Sequence, residues 1–143
     1  MSTKKMFSGA VIALSLIVSI SMLSSCGAAV DKLLDQMVVE GNKQYPMQID
    51  SETRLDRIAH PEKGVLEYLY TVNISKKDLD ASPVSIDDIV SMMKTMSVAT
   101  LKNTTDKALK AIINFGTVTF RHTYYDKNGE LLFSFDVTPE DYK

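Results

Sequence analysis

Apolar positions along this chain are spaced in three ways, and each spacing predicts a different element. From about Met6 to Leu23 they form a near-continuous run, interrupted only by Ser8, Gly9, Ser15, Ser19 and Ser21 and preceded by Lys4 and Lys5. A basic start followed by an apolar stretch reads as a secretory signal. At about 18 residues the run would also suffice, on length alone, for an uncleaved membrane helix. Beyond it Val30, Leu33, Leu34, Met37 and Val38 recur at helical spacing, with Asp31, Lys32, Asp35 and Gln36 on the other side. This predicts an amphipathic helix that stops at Gly41-Asn42. Its stripe suits a core-facing helix. The alternative, a partner-binding or membrane-lying helix, has few lysines to meet an anionic surface.

Tyr45-Pro46 breaks the helical pattern, and Met47 to Ser51 reads as a connector. Glu52 to Ala59 predicts a strand, His60 to Gly64 a turn, and Val65 to Ile74 a stronger strand. On the latter Leu66, Tyr68, Tyr70, Val72 and Ile74 share one face at period two, while the mixed opposite face predicts a wetter side of the sheet. Lys76 to Ser82 is polar up to Pro83. Ser85 with Asp88 resembles a capping box, followed by the stripe Ile86, Ile89, Val90, Met93, Met96 and Leu101. Thr104 or Thr105 before Asp106 is a second cap signal, ahead of Ala108, Leu109, Ile112 and Ile113. These predict two helices, or one broken near Asn103, ending at Phe115-Gly116.

Thr117 to Tyr125 and Glu130 to Val137 predict a hairpin around Asp126-Lys127-Asn128-Gly129. Val118, Phe120, His122 and Tyr124 face the core from the first strand, and Leu131, Phe133, Phe135 and Val137 from the second. The order α-β-β-α-α-β-β predicts an α+β fold. Its expected form is a four-stranded antiparallel sheet of two hairpins, with an N-terminal helix and a two-helix insert packed on one face. No internal repeat appears. At 143 residues, with 45% hydrophobic and 24% charged residues, the chain suits one globular domain.

The exit of the first apolar run sharpens the compartment. Leu23-Ser24-Ser25-Cys26 resembles the lipobox of bacterial lipoproteins, in which the Cys thiol is diacylated, commonly with palmitate, and the preceding peptide is removed. The resemblance implies a signal peptide over 1–25, a lipidated Cys26 with a short tether over 26–29, and a single domain over 30–143. Gly27, where an Asp would favour inner-membrane retention, implies an outer-membrane protein facing the periplasm. Cys26 is the chain's single cysteine, so its acylation would leave no thiol for redox or metal chemistry. Without Lys4 and Lys5 the body carries 14 basic and 18 acidic groups. Nucleic-acid binding is therefore not expected, and the acyl chains must do the holding at the membrane, the expected lipid partner. Between Cys26 and Val30 the backbone spans at most about 14 Å, which keeps the domain close to the bilayer.

The candidate chemistry is sparse. His60 and His122 are the two histidines, too few for a metal site without convergent carboxylates. His122, on the Phe120–Tyr124 face, suits a hydrogen-bonded, half-buried core residue, and His60 a solvated turn. No nucleophile elbow, phosphate loop or His-Glu-x-x-His helix occurs. Asp78-Asp80, Asp87-Asp88 and Glu140-Asp141 suit caps and solvated ends. No cofactor or metal is expected. Candidate binding residues are Arg54 and Asp56 on one strand face, with His122, Tyr124 and Tyr125 on the later hairpin; strand charge pairing and core packing are the competing roles.

The stretch Pro46–Asp50, Thr53-Arg54-Leu55-Asp56, Tyr68 and Tyr70, and Tyr124–Gly129 with Val137-Thr138-Pro139 resembles a group of small secreted bacterial proteins. That group supplies no activity to carry over. The resemblance implies cysteines where this chain has Tyr45 and Tyr142, and so a covalent staple that is missing here. The resulting expectation is a lipid-anchored, non-catalytic envelope module with a protein partner. Alternatives are an inhibitor or immunity-type lipoprotein acting through His60–Gly64 or Asp126–Gly129, an enzyme with His122, Arg121 and a carboxylate converging in a pocket, and a small-ligand carrier.

Overall fold

The computed structural model describes residues 26–143; the leader expected over 1–25 lies outside them, as does the Cys26 side chain. In chain order the first elements are α1 Cys26–Gly41, β1 Met47–Gln48, β2 Thr53–Ala59 and β3 Val65–Val72. The helical insert holds α2 Lys76–Asp80, α3 Ile86–Lys102 and α4 Lys107–Phe115, and β4 Thr119–Tyr125, β5 Leu131–Val137 and α5 Pro139–Tyr142 follow. α1 begins at Cys26, so Gly27–Ala29, expected as tether, form its first turn, and Ala29 is already buried. Among the described residues no helix is long and apolar enough to cross a membrane.

Local chemistry sets the helix ends. Ser85 Oγ accepts from the Asp88 amide at 3.1 Å and starts α3. Asn103 ends it, so α3 and α4 are two consecutive helices rather than one broken helix, and with α2 the insert holds three helices rather than the two expected. The cap of α4 is Asp106, not Thr104 or Thr105: its carboxylate accepts from Leu109 N at 3.0 Å, while Thr104 Oγ1 accepts from Asp106 N at 3.2 Å. Gly116 closes α4 in the left-handed region at φ 66°, where a Cβ would be strained. α2 and α5 span five and four residues, too short for a periodic signal to announce them.

The sheet departs from the expected one in number and direction. It has five strands in the order β1-β2-β3-β4-β5, because Met47–Gln48 pairs with Arg54 and Leu55 as a short edge strand instead of serving as connector. β3 and β4 pair in parallel, Leu66 with Phe120, Tyr68 with His122 and Tyr70 with Tyr124. Parallel neighbours need a long crossover, and the α2–α3–α4 insert supplies it. The sheet is therefore mixed, with three antiparallel pairings and one parallel joint between β3 and β4.

Two irregularities re-aim side chains. Between Leu55 and Arg57 the register shifts past Asp56, so Leu55 and Ile58, three apart, are both buried. A second shift pairs Tyr124 with Phe133 but Tyr125 with Leu131. It turns Leu132 inward and leaves Leu131, expected in the core, 52% exposed. An extra residue on one strand does this in any antiparallel pair. The hairpin turn also differs in detail: Gly129 takes positive φ, Asn128 does not, and Asp126 holds the loop by accepting from Asn128 N and Glu130 N at 2.7 and 2.8 Å.

The helices pack on one face of this sheet, as expected. α1 lies against β2, α3 against β5, and α4 against both α1 and α3. Leu34, Met37, Leu55, Ile58, Leu66, Phe120, Ile89, Met93, Leu109 and Val137 fill the space between the layers. Tyr142 seals the C-terminal end, donating to the Val118 carbonyl at 2.6 Å and meeting Phe120 edge-on at 5.8 Å.

Candidate functional site

The five candidate binding residues divide between the two faces of the sheet. His122 and Tyr124 belong to the inner face. Parallel pairing lays Tyr68, His122 and Phe135 side by side across three strands, with ring centroids 5.0 and 4.9 Å apart, and Tyr70, Tyr124 and Phe133 beside them at 4.4 and 4.9 Å. His122 Nδ1 meets Tyr70 Oη at 3.1 Å. With 5% of its surface exposed, His122 is more deeply buried than the half-buried residue expected, and Tyr124 has no exposure at all. Burial takes both out of any surface contact. It lowers the His122 pKa to about 3, against a weak opposing pull from the Asp136 charge, and pushes the Tyr124 hydroxyl well above its usual range.

Arg54, Asp56 and Tyr125 lie on the outer face. Arg54 and Tyr125 flank Thr71 in one cross-strand row. Asp56 bonds Arg54 Nε with one oxygen and accepts from Thr71 Oγ1 with the other, so the expected charge pair forms along β2 instead of across strands. Farther along this face Arg121 is bidentate to Asp136 at 2.9 and 3.2 Å and reaches Glu62 at 3.2 Å. Those partners hold its guanidinium charged, the Asp136 hydrogen bond foremost. Thr123 donates to Glu67 at 2.7 Å and meets Ser134 at 3.1 Å. Arg54 and Arg121 are thus both paired within the face. The convergence of His122, Arg121 and a carboxylate that would mark an enzyme does not form, because adjacent strand residues project to opposite faces.

Both turns considered for an inhibitor are fastened to the body. His60, expected in solvent, sits between two carboxylates of α1: Nε2 is 3.1 Å from Asp31 and Nδ1 2.7 Å from Asp35. Asp31 also accepts from the Gly64 amide at 2.8 Å. In the other turn Asp126 accepts from the Lys76 amide at 2.9 Å besides its two loop amides. Desolvation pulls the Asp126 carboxyl up, but the Glu130, Lys76 and Asn128 amides outweigh it and hold it below its ordinary value. Among the described residues no group of three His, Cys, Asp or Glu side chains could hold a metal ion.

A groove of about 590 Å³ lies beside α3, lined by Pro83 and Val84 before the helix and by Asp88, Met92, Thr95 and Met96 on its flank. Its origin is the width of the apolar arc. At about 100° per residue, Met92, Met96, Ile89, Met93, Val90 and Leu101 sweep about 180° of α3, whereas a core-facing helix needs about 100°. The fully buried line is Ile89, Met93, Ser97 and Leu101. Met92 and Met96 are left half-buried at the groove wall, with Asp88, Ser91 and Thr95 as its polar rim. Under the same helix a second cavity of about 20 Å³ lies between Ser97, Tyr68, Leu109 and His122, and no protein group pairs with the Ser97 hydroxyl.

No protein-family model matches this chain, and no curated protein matches it in sequence. Solved structures do share its fold. A Pseudomonas aeruginosa protein assigned to the secreted class superposes with a TM-score of 0.63 at 11% identity, covering 85% of this chain and 100% of that one. The type 2 secretion system pilotin EpsS of Vibrio vulnificus gives 0.59 at 14% identity, with 82% and 94% covered. The type II secretion system pilotin AspS of Vibrio cholerae gives 0.56 at 13% identity, with 80% and 94% covered. At these identities the likeness is one of fold.

Sequence reasoning named neither Pro83, Val84 nor Met92 as a site. The signal was present in the surplus apolar arc of α3. Met92 lies outside the line of residues that the core buries.

Proposed function

We propose that this chain is a lipid-anchored envelope protein facing the periplasm from the outer membrane, and that it binds a protein partner without catalysis, in the manner of a pilotin. The single observation that carries the reading is the groove beside α3. It is apolar on its walls and polar on its rim, and its volume lies within the range usual for binding clefts. Methionines suit such a wall because an unbranched thioether adapts to irregular partner shapes. The likeness of fold to two type II secretion pilotins supports a partner within a secretion apparatus, and the Leu23–Cys26 motif supports the compartment.

A photo-crosslinking residue placed at Thr95 of the full chain, in the native host, tests this. The expected result is one discrete adduct, identified by mass spectrometry as a secretion-system component. Met92→Asp should reduce that adduct about tenfold, equivalent to about 1.4 kcal/mol, with an unchanged circular dichroism melt. The same adduct from a crosslinker at Arg57 on the outer face, or one indifferent to Met92→Asp, would overturn the reading.

A further inference from the structure

α1 starts at Cys26, the residue read as acylated, and no linker separates helix from anchor. Ala29 and Val30 are already buried in the body. The anchor therefore determines which end of the domain meets the bilayer. Asp31 lies five residues on, about 7.5 Å along the helix axis, and bonds the Gly64 amide. Gly64 marks the start of both central strands: its carbonyl accepts from Thr119 N at 2.8 Å, and a Cβ there would lie 3.4 Å from the Thr117 carbonyl. Parallel pairing of β3 and β4 thus brings the end of α4 to the anchor end. Phe115, the last residue of α4, is 40% exposed there. The Lys143 side chain lies against Gly116, and Lys63 is exposed in the adjoining turn.

We propose that this end rests on the bilayer, with the Phe115 ring among the lipid headgroups and Lys63 and Lys143 at the level of the phosphates. The proposal rests on acylation of Cys26. Among the described residues the other large exposed apolar side chains lie elsewhere. Val39 is about 20 Å from Cys26 along α1, and Leu131 follows the turn at the far end of β4. Phe is among the apolar residues that interfacial segments bury at the boundary of headgroups and acyl chains. Glu62 and Glu140 share the anchor end with the lysines, and Glu62 is paired with Arg121. Positive charge is not in surplus, so the contact comes from the ring and the anchor, and a zwitterionic bilayer suffices.

The chain contains no Trp, so Phe115→Trp and Val39→Trp each create a single reporter. The lipidated full chain carrying either is reconstituted into phosphatidylcholine vesicles, with and without a nitroxide lipid labelled near the headgroup. Co-flotation reads anchoring, and quenching reads orientation. Both variants should float, F115W should emit at shorter wavelength and be quenched at least about twofold more than V39W, and added phosphatidylglycerol should change neither. Lys63→Trp reads the same end if F115W folds poorly. Flotation with equal quenching at the two ends, or with stronger quenching at V39W, overturns the orientation while leaving the anchor intact. Failure of the parent chain to float overturns the anchoring reading, and this one with it.

Discussion

His122 is neutral across the physiological range because its ring is packed between Tyr68 and Phe135 and desolvation disfavours the cation, bringing its pKa to about 3. In the unfolded chain the same ring titrates near 6.5. Below that pH the unfolded state binds a proton that the folded state refuses, so stability falls as pH drops from about 6.5 toward 3. From pH 7 to pH 5 the loss from this residue should be about 2 kcal/mol. Urea unfolding of His122→Gln should show correspondingly less acid sensitivity than the parent, and equal slopes against pH would contradict the assigned burial. Strand alternation alone identified the face that His122 occupies. Its neighbours were not legible, because Tyr68 and Phe135 arrive from strands whose pairing is not encoded in spacing along the chain. Arg54 and Asp56 show the same limit: their shared face was readable, but the bulge at Asp56 that closes their ion pair along one strand was not.

At the scale of elements, α1 is fastened to the β2–β3 turn by two carboxylates. Asp31 accepts from the Gly64 amide and faces His60, and Asp35 takes the other ring nitrogen. Asp31→Ala should destabilise the fold by about 2 kcal/mol, the usual cost of removing a charged acceptor from a partly buried amide. Hydrogen exchange at Gly64 and through the first turns of α1 should accelerate. Protection equal to the parent would show that the clasp contributes nothing. Caps and long strands were readable because each has a local cause, as Ser85 before α3 and Gly116 after α4 demonstrate. β1, α2 and α5 were not, since two to five residues complete no period. Leu131 misled for a related reason. Alternation assigns a face correctly only while register holds, and register slips between Phe133 and Leu131.

Across the whole molecule, stability should be graded from the parallel joint outward. β3 and β4 are central, and their inner residues form two stacked aromatic rows under the helices. Their amides at Tyr68, Tyr70, His122 and Tyr124 should exchange only through global unfolding, while Gln48 at the two-residue edge strand exchanges by local opening. Native-state exchange measured residue by residue checks this, and protection in β1 matching that in β3 would refute it. The layer arrangement, one helical face and one polar face, followed from amphipathic patterning. The direction of the central pairing did not, because an inward-facing strand alternates identically whichever way it runs. The groove beside α3 was partly legible in the breadth of that helix's apolar arc, although only the packed structure shows where the core stops using it.

A helix that already includes Cys26 leaves little slack between the body and a lipid carried on that residue. If Cys26 is held in lipid, the other surfaces stay within a narrow range of heights above the membrane. The protein then searches for partners by sliding laterally and not by sampling the depth of the periplasm. Anything that binds it must already stand at the same altitude.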